Sequence, residues 1–521
     1  MAAATLPARA ASLWAPEPDA REASSAQSSY PPLDGDSRVD VTVIGAGITG
    51  LSTAVMLKRA GLSVAVLEGR HIGAAATGHT SAKISLLQGT RASTLARSLG
   101  EDAVRDHVAA HRAGMGWLLE RAADVDCGLE RATAVTYSTS AKDGSGARAV
   151  RAEAEALRAA GLPVELGTDV GLPFPVTEAV GLGEQAQFDP VPYLHSLATE
   201  VHGGGSSVHE GTRVRAASWF GPTEVRTDTG RVRSTWVVVA TGIPILDRSL
   251  HFARMEPSRS YSLALRIGSP TPPGMYLSAD SPTRSIRTAR HGDDRLLLVG
   301  GNGHRVGTSS PMLSHERDLL DWAEEHWPVE AVTHRWSAQD YQSEDGLPFI
   351  GPTPQAPRAL VAFGFAKWGM SGGSAAAIAL TDHVLGRTTP WLGRMRADRL
   401  PRSSRALTTL AQANAQVARH LATGWARPHL PAAHDPAEGE GRVETTVRGK
   451  VARCRVGGVL HERSAVCPHL GGIVEWNDAE TSWDCPLHAS RFAPDGGVLE
   501  GPATRGLGTP PGLGSVVRPR A

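Results

Sequence analysis

The apolar residues of this chain fall into runs rather than strict alternation, and the runs end at glycines. From Arg38, VDVTVIG is a continuous apolar stretch that predicts a buried strand. ITGLSTAVMLKRAG carries helical spacing up to Gly61, and SVAVLE predicts a second strand, so the three make a βαβ unit. A long amphipathic helix is expected over 91–123. Mixed strand and helix signals follow to about residue 340, with strands such as RVRSTWVVVATG and RLLLVGG ending in glycine. The segment AFGFAKWGMSGGSAAAIALTDHVLG predicts a strand, a tight loop and a closing helix. From Gly441 onward, short strands are separated by Gly, Asn and Asp turns, the pattern of a small β domain. Residues 1–37 have no sustained apolar period and are expected to form a flexible arm; 38–387 form the large domain, 388–429 a linker with one helix, and 430–515 the small domain. There is no internal repeat.

Length and composition narrow the class. A chain of 521 residues is too long for one core. Lys plus Arg (53) balances Asp plus Glu (53), and no basic run has interleaved aromatics, so nucleic acid is not an expected partner. The first residues lack a basic region ahead of an apolar core, which argues against a signal peptide. The longest apolar stretch, Val41 to Leu57, holds three glycines and is shorter than a bilayer span, so no membrane segment is expected. Four cysteines, two of them in a metal-ligand pattern, make no disulfide framework and suit a reducing cytoplasm.

Gly45, Ala46, Gly47 and Gly50 write G-x-G-x-x-G between the first strand and its helix, and Glu68 ends the next strand. In that context the first glycine permits the turn, the second lets backbone approach a pyrophosphate, and the third lets helix and strand pack closely. Helix N-terminal amides then meet the phosphates, and Glu68 can take the ribose hydroxyls. A second nucleotide fingerprint and a C-x-x-C pair are both missing, which disfavours a disulfide reductase using NAD(P)H. VIGAGITG, the pair Glu68 and Arg70, the VVVATG segment and GFAKWGMSGG together resemble the D-amino-acid oxidase superfamily, which includes glycine, sarcosine and γ-glutamylputrescine oxidases; the likeness spans about residues 38–387. The resemblance implies FAD as cofactor. It places Val214 by the adenine, Ala240, Thr241 and Gly242 near the dinucleotide, and Gly369 and Met370 at the isoalloxazine ring. It also makes 78–83, with His79, Thr80 and Lys83, a flavin-proximal loop, in which a covalent bond from His79 is an open option. Catalytic candidates on that basis are His79, Lys83, Lys367 and Trp368.

Cys467-Pro468-His469 and Cys485-Pro486-Leu487-His488 give C-x-H, fifteen intervening residues, then C-x-x-H. Two loops, each with one thiolate and one imidazole, can supply two sulfurs to one iron and two nitrogens to another. The same four residues could hold a tetrahedral zinc ion, although zinc sites more often pair Cys with Cys and His with His. CPHLGG and CPLHAS resemble the cluster-binding loops of Rieske [2Fe-2S] domains, and Gly501-Pro502-Ala503 resembles their covering proline loop. Cys127 and Cys454 lie outside both loops and are expected to be packed thiols. Compared with respiratory Rieske proteins, Gly472 and Leu487 stand where a loop-bridging disulfide would be, Phe492 where a Tyr often donates to sulfur, and Ala489 where Gly is common. Ser490 keeps a hydroxyl for the cluster. Fewer hydrogen bonds to sulfur predict a lower potential than in respiratory Rieske proteins.

Together these likenesses imply an α/β Rossmann-like FAD-binding domain with an inserted α+β substrate domain, followed by a small all-β Rieske domain. The implied chemistry is oxidation of a C–N bond in a small amine or amino acid, with electrons leaving through the cluster to an unidentified partner. Two alternatives stay open: a cluster fed from outside that lets the flavin reduce a substrate, and a non-catalytic redox sensor or electron-transfer protein. A mononuclear-iron oxygenase is disfavoured, because no facial triad of two His and a carboxylate follows the cluster motif.

Overall fold

The structure is a computed structural model that describes residues 4–7, 10–15, 30–218, 223–247, 249–307, 311–401, 404–447 and 449–510. Strands Val41–Ile44 (β1), Val64–Leu67 (β2), Ser207–His209 (β3), Trp236–Gly242 (β4), Phe349–Thr353 (β5) and Ala356–Phe363 (β6) form a sheet in the order β5-β6-β4-β1-β2-β3. Only the β5/β6 pair is antiparallel. Every residue of β1 and β2 is buried, which is why VTVI and VAVL read as unbroken apolar runs. Helices Ile48–Arg59 (α1) and Gly369–Val384 (α2) pack together with their N-terminal turns side by side, so close that a Cβ on Gly373 would meet Thr49 Oγ1 at 2.5 Å.

The inserted substrate domain is a nine-stranded sheet. Its long strands Met255–Ile267 and Val329–Ser343 pair antiparallel, and Lys83–Ile84 lies at the opposite edge, paired to Glu178–Gln187. The helix expected over 91–123 is broken at Gly100, whose φ of +86° separates Arg91–Leu99 from Glu101–Ala122.

In the C-terminal domain, a three-stranded sheet (Gly441–Thr446, Gly449–Val456, Val459–Ser464) faces a four-stranded one (Glu475–Asn477, Ser482–Asp484, Arg491–Phe492, Val498–Glu500). Trp483, Phe492 and Cys454 are in its core. Among the described residues no helix is long and apolar enough to cross a membrane.

Two boundary expectations are corrected. The arm over 1–37 is packed where it is described: Leu13 and Trp14 are buried in the main core, and Leu33 packs under the sheet. Sequence periodicity misses these residues because they are isolated apolar anchors in an irregular segment. Within the expected linker, Trp391, Met395 and Ala397 are buried on the flavin-binding domain, and the Arg399 guanidinium lies 3.7 Å from the centre of the Phe349 ring. Arg399 also pairs with Asp345 at 2.8 Å. The helix Ser404–Ala426 is present as expected, but it docks on the small domain: Val417 and Leu421 pack on that core, and Trp425 Nε1 donates to Gly471 O at 2.9 Å.

The two domains are locked together by buried polar contacts. Arg259 is paired with Asp484 at 2.9 Å, Ser337 N donates to Glu480 Oε1 at 2.7 Å, and Arg335 Nη1 donates to Ala479 O at 3.0 Å. Arg491 reaches Glu480, Asp484 and Glu500. Removing one member of such a buried set costs roughly 3–5 kcal/mol, because the remaining charge is left unpaired.

Candidate functional site

A cavity of about 780 Å³ runs from the β1–α1 turn to the start of α2, within the range of small-molecule and cofactor sites. At one end the glycines act as the motif requires. Gly45 has φ +104° and lies under Ala240, and a Cβ on Gly50 would sit 2.0 Å from Gly45 O, so helix and strand can meet only without a side chain there. The Glu68 carboxylate accepts from Ala46 N and Arg70 N, each at 2.9 Å, which holds it at the cavity wall with lone pairs to spare.

Of the residues assigned to the dinucleotide, Gly45, Gly47, Glu68, Arg70, His79, Thr80, Val214, Ala240, Thr241, Gly242, Gly369 and Met370 all line this one cavity. Ala46 and Gly50 lie behind its wall and shape the turn. The four catalytic candidates, His79, Lys83, Lys367 and Trp368, line it as well.

The loop carrying His79 and Lys83 is pinned carbonyl by carbonyl. Gly78 O accepts from Ser12 Oγ at 2.7 Å, His79 O from Trp336 Nε1 at 2.9 Å, and Thr80 O from Trp14 Nε1 at 2.7 Å. Ser81 O and Ala82 O accept from Arg287 Nη1 at 2.7 and 2.9 Å. The N-terminal segment is therefore part of the site's frame. Lys83 Nζ donates to Tyr276 O at 2.6 Å and Ser285 Oγ at 2.7 Å; burial, with Arg287 nearby, pushes its pKa down to about 7. Burial also holds His79 below the usual histidine range.

At the other wall, Ala366 and Lys367 have φ of +50° and +73°, a strained left-handed pair leading into α2. Lys367 Nζ donates to Ser260 Oγ at 2.7 Å, and its backbone amide donates to Asp340. Burial raises Asp340 to about 6. Asp340 and Arg91 have no motif in the sequence; only the fold brings them to the cavity. Arg91 is half-buried; its Nη2 donates to Gly346 O, and its buried Nε has no hydrogen-bond partner among the described residues.

The C-x-H and C-x-x-H loops lie side by side, thiol beside thiol and imidazole beside imidazole. The neighbouring Cys485 thiol, with backbone amides and the Ser490 hydroxyl, holds Cys467 below the usual thiol range. The His469 and His488 rings have centroids 5.2 Å apart, and burial pushes His488 down to about 4, leaving its imidazole neutral. His488 Nδ1 is buried without a partner among the described residues, an orphaned donor or acceptor that a metal would satisfy. Among the described residues no three His, Cys, Asp or Glu side chains converge on one point. A Cβ on Gly472 would lie 2.7 Å from the Leu487 side chain, so the pair occupies adjoining space with no bridge. Ala489 takes φ +61°, the conformation for which glycine is common there. Phe492 is fully buried and brings no hydroxyl. Cys127 and Cys454 are packed thiols, each pushed up to about 11 by burial.

The cluster loops touch the flavin-binding domain directly. Phe252 lies edge-on to both His469 and His488, at 5.0 and 4.9 Å between ring centres. Gln339 Nε2, from the cavity wall, donates to Ala489 O at 2.9 Å.

This fold and these two sites define a flavoprotein oxidoreductase joined to an iron-sulfur domain. The chain belongs to the FAD dependent oxidoreductase family, whose profile matches residues 40–383, and a Rieske [2Fe-2S] domain matches residues 431–511. It is similar along nearly its whole length to the Rieske 2Fe-2S iron-sulfur protein YhfW of Bacillus subtilis, at 32% identity over 486 residues, covering 92% of this chain and 94% of that one. In fold it is similar to glycine oxidase from Geobacillus kaustophilus (TM-score 0.59, 18% identity, 70% of this chain and 100% of that one). The L-amino acid deaminase from Proteus myxofaciens is also similar (TM-score 0.57, 18% identity, 72% and 96%). The protein is an oxidoreductase that depends on FAD and a [2Fe-2S] cluster.

Proposed function

We propose that the protein oxidises a C–N bond of an amine or amino acid in the cavity and passes the electrons to a cluster held by Cys467 and Cys485 through sulfur and by His469 and His488 through nitrogen. When bound, FAD supplies a two-electron hydride acceptor and the Rieske cluster a one-electron carrier. The observation that carries the proposal is Gln339: one side chain belongs to the cavity wall and hydrogen-bonds the second cluster loop.

In the substrate, the α C–H bond breaks with its electron pair, the nitrogen lone pair forms C=N, and water then hydrolyses the imine. That requires a neutral amine. Lys83, poised near neutrality, can take the proton of an incoming ammonium group, and Asp340 stands as a second proton acceptor beside Lys367. Ser260, Ser262 and Ser285 make the cavity polar beside Lys83 and Lys367. The pinned 78–82 loop keeps His79 and Thr80 in place against the ring system. The buried thiols Cys127 and Cys454 agree with a reducing, cytoplasmic setting.

Anaerobic mixing with a panel of primary and secondary amines, amino acids and the matching alcohols tests the substrate class. Bleaching of the flavin absorbance by members of the amine set, and by none of the alcohols, is expected. Bleaching by alcohols alone would overturn the C–N assignment.

A further inference from the structure

The cavity that carries the dinucleotide turn is lined on one side by the iron-sulfur domain. Leu499, Glu500, Gly501, Ala503 and Thr504 face it, opposite Arg70, Arg213 and Val214. The segment is held there by the flavin-binding domain: Arg213 Nη2 donates to Val498 O at 2.8 Å, Arg215 donates to Thr504 O, and a Cβ on Gly501 would come within 3.0 Å of Ile245 Cγ2. Its other face belongs to the cluster loops. Ala503 N donates to Ser490 Oγ at 3.0 Å, and Ser490 O accepts from Cys485 N at 2.8 Å. Glu500 ties both domains to the same point, accepting from Arg491 Nη1 at 2.9 Å and from Gln339 Nε2 at 3.1 Å.

We propose that Leu499–Thr504 is the second half of the FAD site, a wall shared by the two cofactors, through which occupancy of the flavin cavity is coupled to the cluster by the Ala503–Ser490–Cys485 hydrogen bonds. The geometry gives two consequences. The iron-sulfur domain contributes to FAD affinity, since part of the cavity closes only when that domain is docked. FAD in turn sets the position of Ala503, and through Ser490 that of the loop presenting the Cys485 sulfur, and such surroundings tune a Rieske centre's spectrum and potential. The coupling rests on the assignment of Cys485 as a cluster ligand. The affinity claim does not, so the two can fail separately.

The test uses the full chain, stripped of flavin under mild conditions and titrated with FAD. Thr504→Trp narrows the cavity from the iron-sulfur side, and Glu500→Gln keeps hydrogen-bonding capacity while removing the charge. A loss of FAD affinity of about tenfold or more, equivalent to ~1.4 kcal/mol, is expected for Thr504→Trp, with a smaller loss for Glu500→Gln. In the wild type, the EPR g-values and midpoint potential of the cluster are expected to change between the flavin-loaded and flavin-stripped protein, a comparison that needs no variant to fold. FAD affinity unchanged within about twofold in both variants would overturn the shared site. An identical cluster spectrum and potential with and without flavin would overturn the coupling.

Discussion

The cluster site is made by two loops, Cys467–Gly472 and Cys485–Ser490, whose donors are set by spacing in the chain, whereas the flavin cavity takes its wall from residues as far apart as Ile44 and Thr504. The first is compact because two short β-turn loops need only each other to present sulfur and nitrogen. The second has a local end, where one βαβ turn supplies Gly45, Gly47 and Glu68, and an assembled end, where four separate segments bring Lys83, Arg91, Asp340 and Lys367 together. Substitutions in the first kind of site should remove a cofactor outright, and those in the assembled end should alter chemistry and pH response while both cofactors stay.

The largest effect is expected from Cys485→Ser. Iron and the Rieske EPR signal should disappear while FAD is retained, and metal analysis beside flavin release checks both at once. Loss of both cofactors together would break the contrast between a self-contained cluster site and an assembled cavity. Gly50→Ala attacks the local end of the other site. The added Cβ falls 2.0 Å from Gly45 O, so the turn must open at a cost of roughly 1–3 kcal/mol, and the flavin-to-protein ratio should drop with iron content unchanged.

At the assembled end, the Lys83 pKa lies near 7, well below its ordinary value of 10.5. Between those values the unfolded chain holds the proton and the folded chain does not. Wild-type stability therefore rises with pH across that window, by up to about 1.4 kcal/mol per unit, and Lys83→Met should lose the slope. Denaturant melts of both proteins from about pH 7 to about pH 9 decide it, and parallel curves would show that Lys83 is not shifted. The smallest effect is Ala489→Gly. Relief of the left-handed alanine at φ +61° should raise the stability of the cluster loop by up to ~1 kcal/mol, read as the thermal midpoint of the cluster absorbance.

The same division governs what the sequence makes legible. The βαβ unit and the small β domain are written in contiguous residues and form as expected, and the cluster motif is legible for the same reason. Even Ala489 and the Gly472–Leu487 pair take the backbone and packing implied by their departures from respiratory Rieske loops. Asp340 and Arg91 could not be found that way. One sits in a long strand and the other opens a helix, with nothing nearby in sequence to mark a site, and only a nine-stranded sheet folded over the flavin-binding domain brings them to one cavity. Trp14 was hidden for a related reason. A single tryptophan in a segment rich in Ala and Pro gives no periodicity, yet its indole N–H holds Thr80 O at 2.7 Å. Gly501–Ala503 is legible as a covering loop for the cluster, but the second face of the 499–504 wall exists only because Arg213 and Arg215 dock it onto the other domain.

One experiment bears most directly on electron flow through this shared wall: anaerobic mixing with an oxidisable amine, followed at once by flavin absorbance and by EPR of rapidly frozen samples. Flavin bleaching should come first, with the reduced cluster signal growing at a rate independent of protein concentration. A cluster that stays oxidised while the flavin is reduced, or that is reduced only in proportion to protein concentration, would contradict direct passage between the two cofactors within one chain.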